Sequence, residues 1–545
     1  MTIGSISSGK EILRPVWMQW LIPSTGDLIF AALLGLLVYT ALAVRLLGDA
    51  GIGWHIRTGQ LILATHAIPH VDPFSSSMSG QPWFAWEWLY DVLVGWLDKA
   101  AGLNGVVLFT ASIIALTFSW TFHLLLRRGT NFPVALILVL LAASASMIHF
   151  FARPHVVSWF FTVAWFWVLD SSTERMRDSA AAGARKQSWY LWLLPLLMIL
   201  WVNIHGGFLL GSVLLAIYWF SAVWEYFRLS EDHFEDAVRK IRAAKQSRDL
   251  ALIVLLSALA TLVNPYGWRL HVHIYHYLSN RFLMDHIDEF QSPNFHGVAQ
   301  KCFAALLLLT LIAFAAKRRE PAGVRLSEAL IILFAVYSGL YAARNIPVSA
   351  LLLILMIGPR LSDALQSLEQ RRTALDSTSP HFFQRMQSIE AALRGHIWPI
   401  AALALTCWII FHGGALGTKQ LVNAHFDANR FPSHAVDYFQ SHNLPGPILA
   451  PDSWGGYLIY RLYPRVKVAV DDRHDFYGEQ FLKSYLKMMH VEPGWENFLQ
   501  QYPVQYVVAP KNSALANILA ETPHWKLVYS DDVAIVFDHS NASSQ

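Results

Sequence analysis

Asp49, His55, Asp72 and Glu87 fall within one stretch, residues 48–98, together with Trp54, Trp83, Trp86, Trp88 and Trp96. A partly buried carboxylate has its pKa raised toward neutrality and can then exchange protons. Asp49 and Glu87 are therefore the candidate catalytic acids or bases. His55 lies one turn into an expected helix over 54–65, where it can orient or hydrogen-bond either acid. Indole rings favour the boundary between membrane and water, with the apolar body inside and the N–H outside. The stretch therefore reads as an interfacial platform holding carboxylates at the lip of a membrane cavity. The plainer alternatives are a solvated helix-end carboxylate at Asp49 and an interfacial histidine at position 55. His66, His70 and Asp72 approximate a metal-ligand spacing only loosely, and no metal or other cofactor is expected.

Cations form the second set. Arg153, His155, His205, Arg269 and Arg344 each fall at the outer end of an expected span. Positive residues are disfavoured on that side, so their presence needs a reason. A phosphate group supplies one, because a guanidinium matches phosphate oxygens in a two-pronged fork. Snorkelling toward lipid headgroups is the alternative. Further along, DDRHD (471–475) follows an expected strand, where ligand crevices of α/β sheets lie. Asp472 and Arg473, with Asp72, Trp54 and Trp86, are the candidates for contacting a sugar or a polar acceptor.

The elements that must position these groups follow from composition. The chain has 545 residues, 54% hydrophobic and only 14% charged, where a soluble domain carries about a quarter charged residues. Long apolar runs at 28–47, 104–126, 133–150, 156–170, 189–204, 206–226, 250–264, 302–316, 326–342, 346–359 and 397–412 predict a polytopic helical bundle of about eleven spans. The first run lacks the flanks of a cleaved signal and reads as a retained span. Cys302 and Cys407 both fall inside apolar runs, as membrane-buried thiols rather than a disulfide or a metal site. A net charge of +3 gives no reason to expect nucleic-acid binding.

Basic residues set the orientation. The clusters are Arg127–Arg128, then Arg175, Arg177, Arg185 and Lys186, then six residues between Arg228 and Arg248, then Lys317, Arg318, Arg319 and Arg325, and last Arg360, Arg371, Arg372, Arg385 and Arg394. The positive-inside rule places all of them in the cytoplasm. Segment 83–98 must then lie flat at the interface, because a crossing there would put Arg127 and Arg128 outside. Glu87, Asp91 and Asp98 also oppose its full insertion. The outer turns become ARPH (152–155), NIHGG (203–207), the longer loop 264–301 and AARNIP (342–347).

Three regions follow: a cytoplasmic N-terminus (1–27), a transmembrane module (28–412) whose outer loop 48–103 carries interfacial helices, and an extracytoplasmic α/β domain (413–545). In the last, strands are expected at 447–450, 467–470, 504–509, 525–529 and 534–537, and helices at 433–441, 454–462, 478–489, 495–502 and 514–520. This alternation predicts a largely parallel sheet. Residues 360–395 read as a polar cytoplasmic connection, helical at 364–371 and 382–394.

The phrases GWHIRTGQLIL, IPHVDPFS, GQPWFAWEWL, WVNIHGGF, NPYGWRL, ARNIP and WGGYLIYRLYP, in an architecture of first span, acidic outer loop, apolar bundle and outer α/β domain, resemble the GT-C glycosyltransferase superfamily. Within it, the chain is most similar to bacterial relatives of the protein mannosyltransferases and the lipid A aminoarabinose transferases. The resemblance implies a bacterial inner-membrane enzyme that moves a sugar from a polyprenyl-phosphate carrier to a glycan, lipid or protein acceptor on the outer face, with inversion. It places the catalytic acid at the start of the first outer loop, which is Asp49 here. Many members carry an adjacent acidic pair, whereas Ala50 and Gly51 follow Asp49, so Glu87 and Asp72 stand as substitutes. A transporter, an envelope-assembly protein or a glycan-binding protein on a degenerate GT-C scaffold is the alternative.

Overall fold

The computed structural model describes residues 16–182, 189–230, 232–316, 324–373, 386, 388–390 and 392–539. Arg185, Lys186, Lys317, Arg318, Arg319, Arg385 and the start of the expected helix 382–394 lie outside the described residues. Every expected span carries a helix. Among the described residues, six helices are long and apolar enough to cross a membrane: Gln19–Tyr39, Trp88–Arg127, Phe132–His149, Phe208–Arg228, Val298–Ala315 and Ala343–Ser367. Trp189–Val202, Leu326–Tyr341 and Ile397–Phe411 are apolar but shorter. Two expected spans belong to longer helices of mixed polarity, His155–Ala182 and Phe234–Ala260.

Local chemistry explains the boundaries. Ser24 and Asp27 form a reciprocal capping box, with Ser24 N donating to Asp27 Oδ2 at 2.8 Å and Asp27 N donating to Ser24 Oγ at 3.2 Å. This starts the first helix before the apolar run itself begins. The bundle is built around the helix Ile346–Thr373, whose residues 350–357 are all buried. An all-apolar helix surface needs other helices, not water, on every side.

The acidic loop folds into a helix, Gly51–Thr65, then an extended segment, then the helix Trp88–Arg127. The helix expected to lie flat over 83–98 therefore starts later, at Trp88. At 40 residues and 1.5 Å each, the Trp88–Arg127 rod would be about 60 Å long, twice the thickness of a bilayer core. Gly102, at φ 61° and ψ −160°, breaks it into two helices. Only glycine adopts that backbone readily, so the acidic first part and the apolar second part can run in different directions.

The C-terminal elements fall where expected, except at two points. Four strands, β3 (Ile448–Leu449), β4 (Tyr506–Pro510), β5 (Lys526–Ser530) and β6 (Ala534–Asp538), pair in the order β3-β4-β6-β5, after a small hairpin of β1 (Ala415–Leu416) and β2 (Lys419–Gln420). Only β3–β4 is parallel, and the other two pairs are antiparallel, so the expected largely parallel sheet is corrected. For β5–β6 the cause is the short connection, where Asp531 Oδ1 accepts from Val533 N and Ala534 N at 2.7 Å each. A turn that tight joins only antiparallel strands. The expected strand 467–470 makes only isolated bridges, Val468 to Ile448 and Val468 to Ser75. The second of these ties the C-terminal region to the acidic loop.

That tie is continuous with the core. Helix Asp452–Leu462 packs on helix Gly51–Thr65, and a Cβ on Gly53 would overlap the Gly456 carbonyl while one on Gly456 would overlap the Ala50 carbonyl. The two helices touch backbone to backbone, and one buried cluster runs from the apolar bundle through this crossing to Ile448 and Val508.

Candidate functional site

The crossing delivers DDRHD to the mouth of the bundle. Gly51 N donates to Asp49 Oδ1 at 2.9 Å, a local turn that orients the carboxylate at the start of the helix. Arg153 Nη1 then bridges two carboxylates, Asp49 Oδ1 at 2.8 Å and Asp472 Oδ2 at 2.9 Å. Trp54 Nε1 donates to the other Asp472 oxygen at 2.9 Å. Three chain segments far apart in sequence meet on one guanidinium.

Behind this bridge lies a cavity of about 80 Å³ whose lining includes Glu87, Asp91, Arg153, His155, His205 and Arg344. Trp54, Trp86, Asp472 and Arg473 also line it, as do Tyr277, Glu289 and Asp475. Asp49 is not a lining residue. It stands at the rim, a third exposed, and reaches the cavity through Arg153.

Glu87 is a strongly perturbed acid. It is 8% exposed and sits between two imidazoles, with His55 Nε2 3.8 Å from Oε2 and His205 Nε2 3.8 Å from Oε1. Burial pushes its carboxyl up to about 8, although Arg153 and Arg344 pull the other way. Burial, with Arg153 next in weight, holds His55 well below the usual imidazole range. His205 is likewise kept neutral by burial and then by Arg344.

A backbone hydrogen bond fixes the tautomer of His205. His205 Nδ1 receives the Gly207 N–H at 3.0 Å, so Nδ1 carries the lone pair and Nε2 carries the proton toward Glu87. Ser158 Oγ, 2.9 Å from the same Nδ1, accepts from Trp201 Nε1 at 2.7 Å. His55 stands on the other side of Glu87; its Nδ1 lies 2.6 Å from Asp91 Oδ1, and its buried Nε2 has no hydrogen-bond partner among the described residues. Glu87 thus faces the Nε2–H of His205 on one side and the unpartnered His55 Nε2 on the other, each at 3.8 Å. The arrangement can store a proton beside the cavity and pass it on.

The cations expected to hold an anion are present but engaged. Arg344 sits 3.3 Å from Glu289 Oε1 and 4.4 Å above the Phe290 ring. Burial alone would raise Glu289, but Arg344 and Arg153 outweigh it and hold the carboxyl down at about 2. Asp472 is pushed up to about 6 by burial, against the pull of Arg153. His155 donates to, or accepts through, no carboxylate; its Nε2 lies 2.9 Å from the His149 carbonyl.

Two expected residues are corrected. Asp72 is 2% exposed and does not line the cavity. Its oxygens take the Ser75 N–H at 2.8 Å and the Phe74 N–H at 3.2 Å, and it is ion-paired to Arg473 Nη1 at 2.9 Å. A carboxylate saturated in this way shapes a turn. Arg473 also forks onto Asp471, at 2.7 Å from Nε and 2.6 Å from Nη2, and lies 4.6 Å above the Trp83 ring. It is a buried latch between loop and C-terminal region as well as part of the cavity wall. Arg269 is exposed at the start of the helix Arg269–Ser279 and away from the lining. His66, His70 and Asp72 form no metal-holding group among the described residues.

Sequence reasoning passed over three residues of the site. Asp91 is one helical turn from Glu87, a spacing that puts both on one face once the helix is known to begin at Trp88. Glu289 carries no such local signal, and Asp475 stands out only as the last residue of DDRHD (471–475). Asp475 is brought in by His273 Nε2 at 2.9 Å, across 202 residues of chain.

No family model matches the chain, and no curated protein is similar to it in sequence. Among solved structures, the apo oligosaccharyltransferase of Archaeoglobus fulgidus aligns with a TM-score of 0.51 at 12% identity, over 95% of this chain and 74% of that one. The same protein tethered to an acceptor peptide containing the NVT sequon aligns at 0.46 and 13% identity, over 95% and 74%. Its complex with an inhibitory peptide and a dolichol-phosphate aligns at 0.45 and 11%, over 96% and 74%. The chain thus shares the fold of this oligosaccharyltransferase.

Proposed function

We propose that the protein transfers a sugar from a polyprenyl-phosphate carrier to an acceptor at the outer face of a bacterial inner membrane. One observation carries the reading: a buried, proton-holding Glu87 shares a cavity with two guanidiniums, Arg153 and Arg344, on a GT-C fold. In this reading the eleven apolar helices span the bilayer, with the N-terminus inside and the C-terminal α/β region outside. Arg153 and Arg344 take the carrier phosphate, which replaces Asp49 and Glu289 as their partners. Asp49, released at the rim, removes the proton from the acceptor hydroxyl. The acceptor oxygen bonds to the anomeric carbon as the bond from that carbon to the phosphate oxygen breaks, with inversion. The carrier phosphate leaves with the electron pair, held by the two guanidiniums and by the Nε2–H of His205. Glu87 keeps its proton and donates to the phosphate.

A cavity of about 80 Å³ is well below the ~300 Å³ at which small-molecule pockets begin. Binding therefore requires the Arg344–Glu289 and Arg153–carboxylate pairs to part. The same observation favours a second reading, a non-catalytic GT-C scaffold that binds a lipid-linked glycan. Purified protein in liposomes, given a polyprenyl-phosphate sugar and a mixed acceptor pool, separates the two. Transfer by wild type and its loss in Asp49→Asn, with unchanged melting, supports the enzyme. Retained glycan binding with no turnover in wild type establishes the scaffold reading, and full transfer by Asp49→Asn removes Asp49 from the mechanism. Solute flux through the liposomes without either result would point to a transporter.

A further inference from the structure

Several helices that carry the candidate site at one end carry a second, larger cavity at the other. His155 opens the helix His155–Ala182, and Thr173 on that helix lines the second cavity. The separation is about 27 Å at 1.5 Å per residue, close to the ~30 Å of a bilayer core. The apolar helix beyond the Gly102 break ends at Arg128, Phe208–Arg228 runs from beside His205 to Arg228, and Ile346–Thr373 passes from beside Arg344 to Arg360. All of these far ends border the second cavity, whose volume is about 700 Å³.

Its lining is strongly cationic: Arg128, Arg228, Arg239, Arg325 and Arg360 face it, with Glu225 and Glu328 as the only carboxylates among the described lining residues. The deepest cations are built in. Arg128 is ion-paired to Asp170 and to Glu328 at 3.3 Å, and Arg360 to the other Glu328 oxygen at 3.3 Å. Arg325 lies 3.9 Å from both carboxylates. Three guanidiniums thus share two carboxylates. Arg228 and Arg239 stand exposed at the mouth, Arg239 with only a 3.8 Å contact to Asp236. The first turn of Leu326–Tyr341 also lines the cavity, and its N-cap Arg325 offers no side-chain cap, so its N–H groups add positive potential.

Excess guanidinium around a pocket at the interface is the chemistry that recognises phosphate. Beside the mouth, Trp224 is 52% and Phe227 76% exposed, an apolar surface continuous with the pocket rim. We propose that this cavity is a second anion site that takes a phosphate group, on the membrane face opposite the candidate active site. The site stands independently of the transferase reading.

The test is native mass spectrometry of the full chain released from vesicles of phosphatidylcholine with 20%, as a rough working fraction, of phosphatidylglycerol, and thermal melting with inorganic phosphate or pyrophosphate as the soluble arm. Retention of phosphatidylglycerol over phosphatidylcholine, reduced about ten-fold or more in Arg228→Glu/Arg239→Glu, identifies a lipid phosphate. A melting shift with pyrophosphate that the double variant loses identifies a soluble phosphate ligand. Both variant positions are exposed, so unchanged melting of the unliganded variant shows an intact fold. Arg269→Glu, exposed on the other face, is the control for bulk charge. Equal retention of both lipids with no pyrophosphate shift, or equal loss in the control, overturns the proposal.

Discussion

Glu87→Gln tests the electrostatics of the candidate site without any assumption about substrate. Glutamine copies the shape of the neutral carboxyl and removes only its ability to ionise. Glu87 makes ion-pair contacts at 3.8 Å and none of hydrogen-bond length, so the substitution removes no bond. In the unfolded chain the carboxyl titrates near its ordinary 4.5, and in the folded chain near 8. Between those values the folded state binds the proton that the unfolded state has released. Stability of the wild type therefore falls as pH rises through this window and levels off above it. At pH 7 the shortfall is about 2.5 pH units, or about 3 kcal/mol, and above pH 8 it reaches about 5 kcal/mol. Glutamine feels none of this. Thermal melting of the detergent-purified pair between pH 5 and 9 should show equal stability near pH 5 and a growing advantage for Glu87→Gln toward pH 9. Parallel melting curves across that range would refute a buried, proton-holding Glu87, and with it the proton role assigned to this side chain.

Other outcomes follow from the same geometry. Arg473→Gln leaves Asp72 and Asp471 buried without their counter-ion and should lower stability by about 3–5 kcal/mol, seen as a large drop in melting temperature. Gly53→Ala drives a methyl into the Gly456 carbonyl; a cost of about 1–3 kcal/mol should appear as earlier proteolysis of the C-terminal region than of the bundle. Arg269→Ala should change melting by no more than about 0.5 kcal/mol and leave any transfer activity intact, whereas Arg344→Ala should abolish transfer; equal effects of the two would contradict the placement of the anion site. If Glu87 acts in its protonated form, transfer should decline as pH passes about 8, and Glu87→Gln should remove that decline.

The helical bundle, the acidic loop and nearly every C-terminal element were legible in the chain, because apolar runs and turn residues report on local geometry. Helix 433–441 was expected at the bounds it has, Ser433–Ser441. Glu87, His55, Arg153, His205 and Arg344 were named from their positions beside spans, and the fold brings all but His55 to the cavity lining, with His55 packed directly behind it. What pattern could not supply was pairing. Asp531 makes the β5–β6 turn that forces that pair antiparallel, and Val468 bridges to Ser75 of the distant acidic loop. Asp72 reads like Asp49 in sequence, yet Arg473 takes it inward from 401 positions away. Asp472 reaches Arg153 only because Gly53 and Gly456 let two backbones touch. Periodicity and composition act over a few residues and settle which segments are helices and which of those are apolar. A buried charge must find its counter-ion wherever the chain returns, and that was decided by tertiary packing alone.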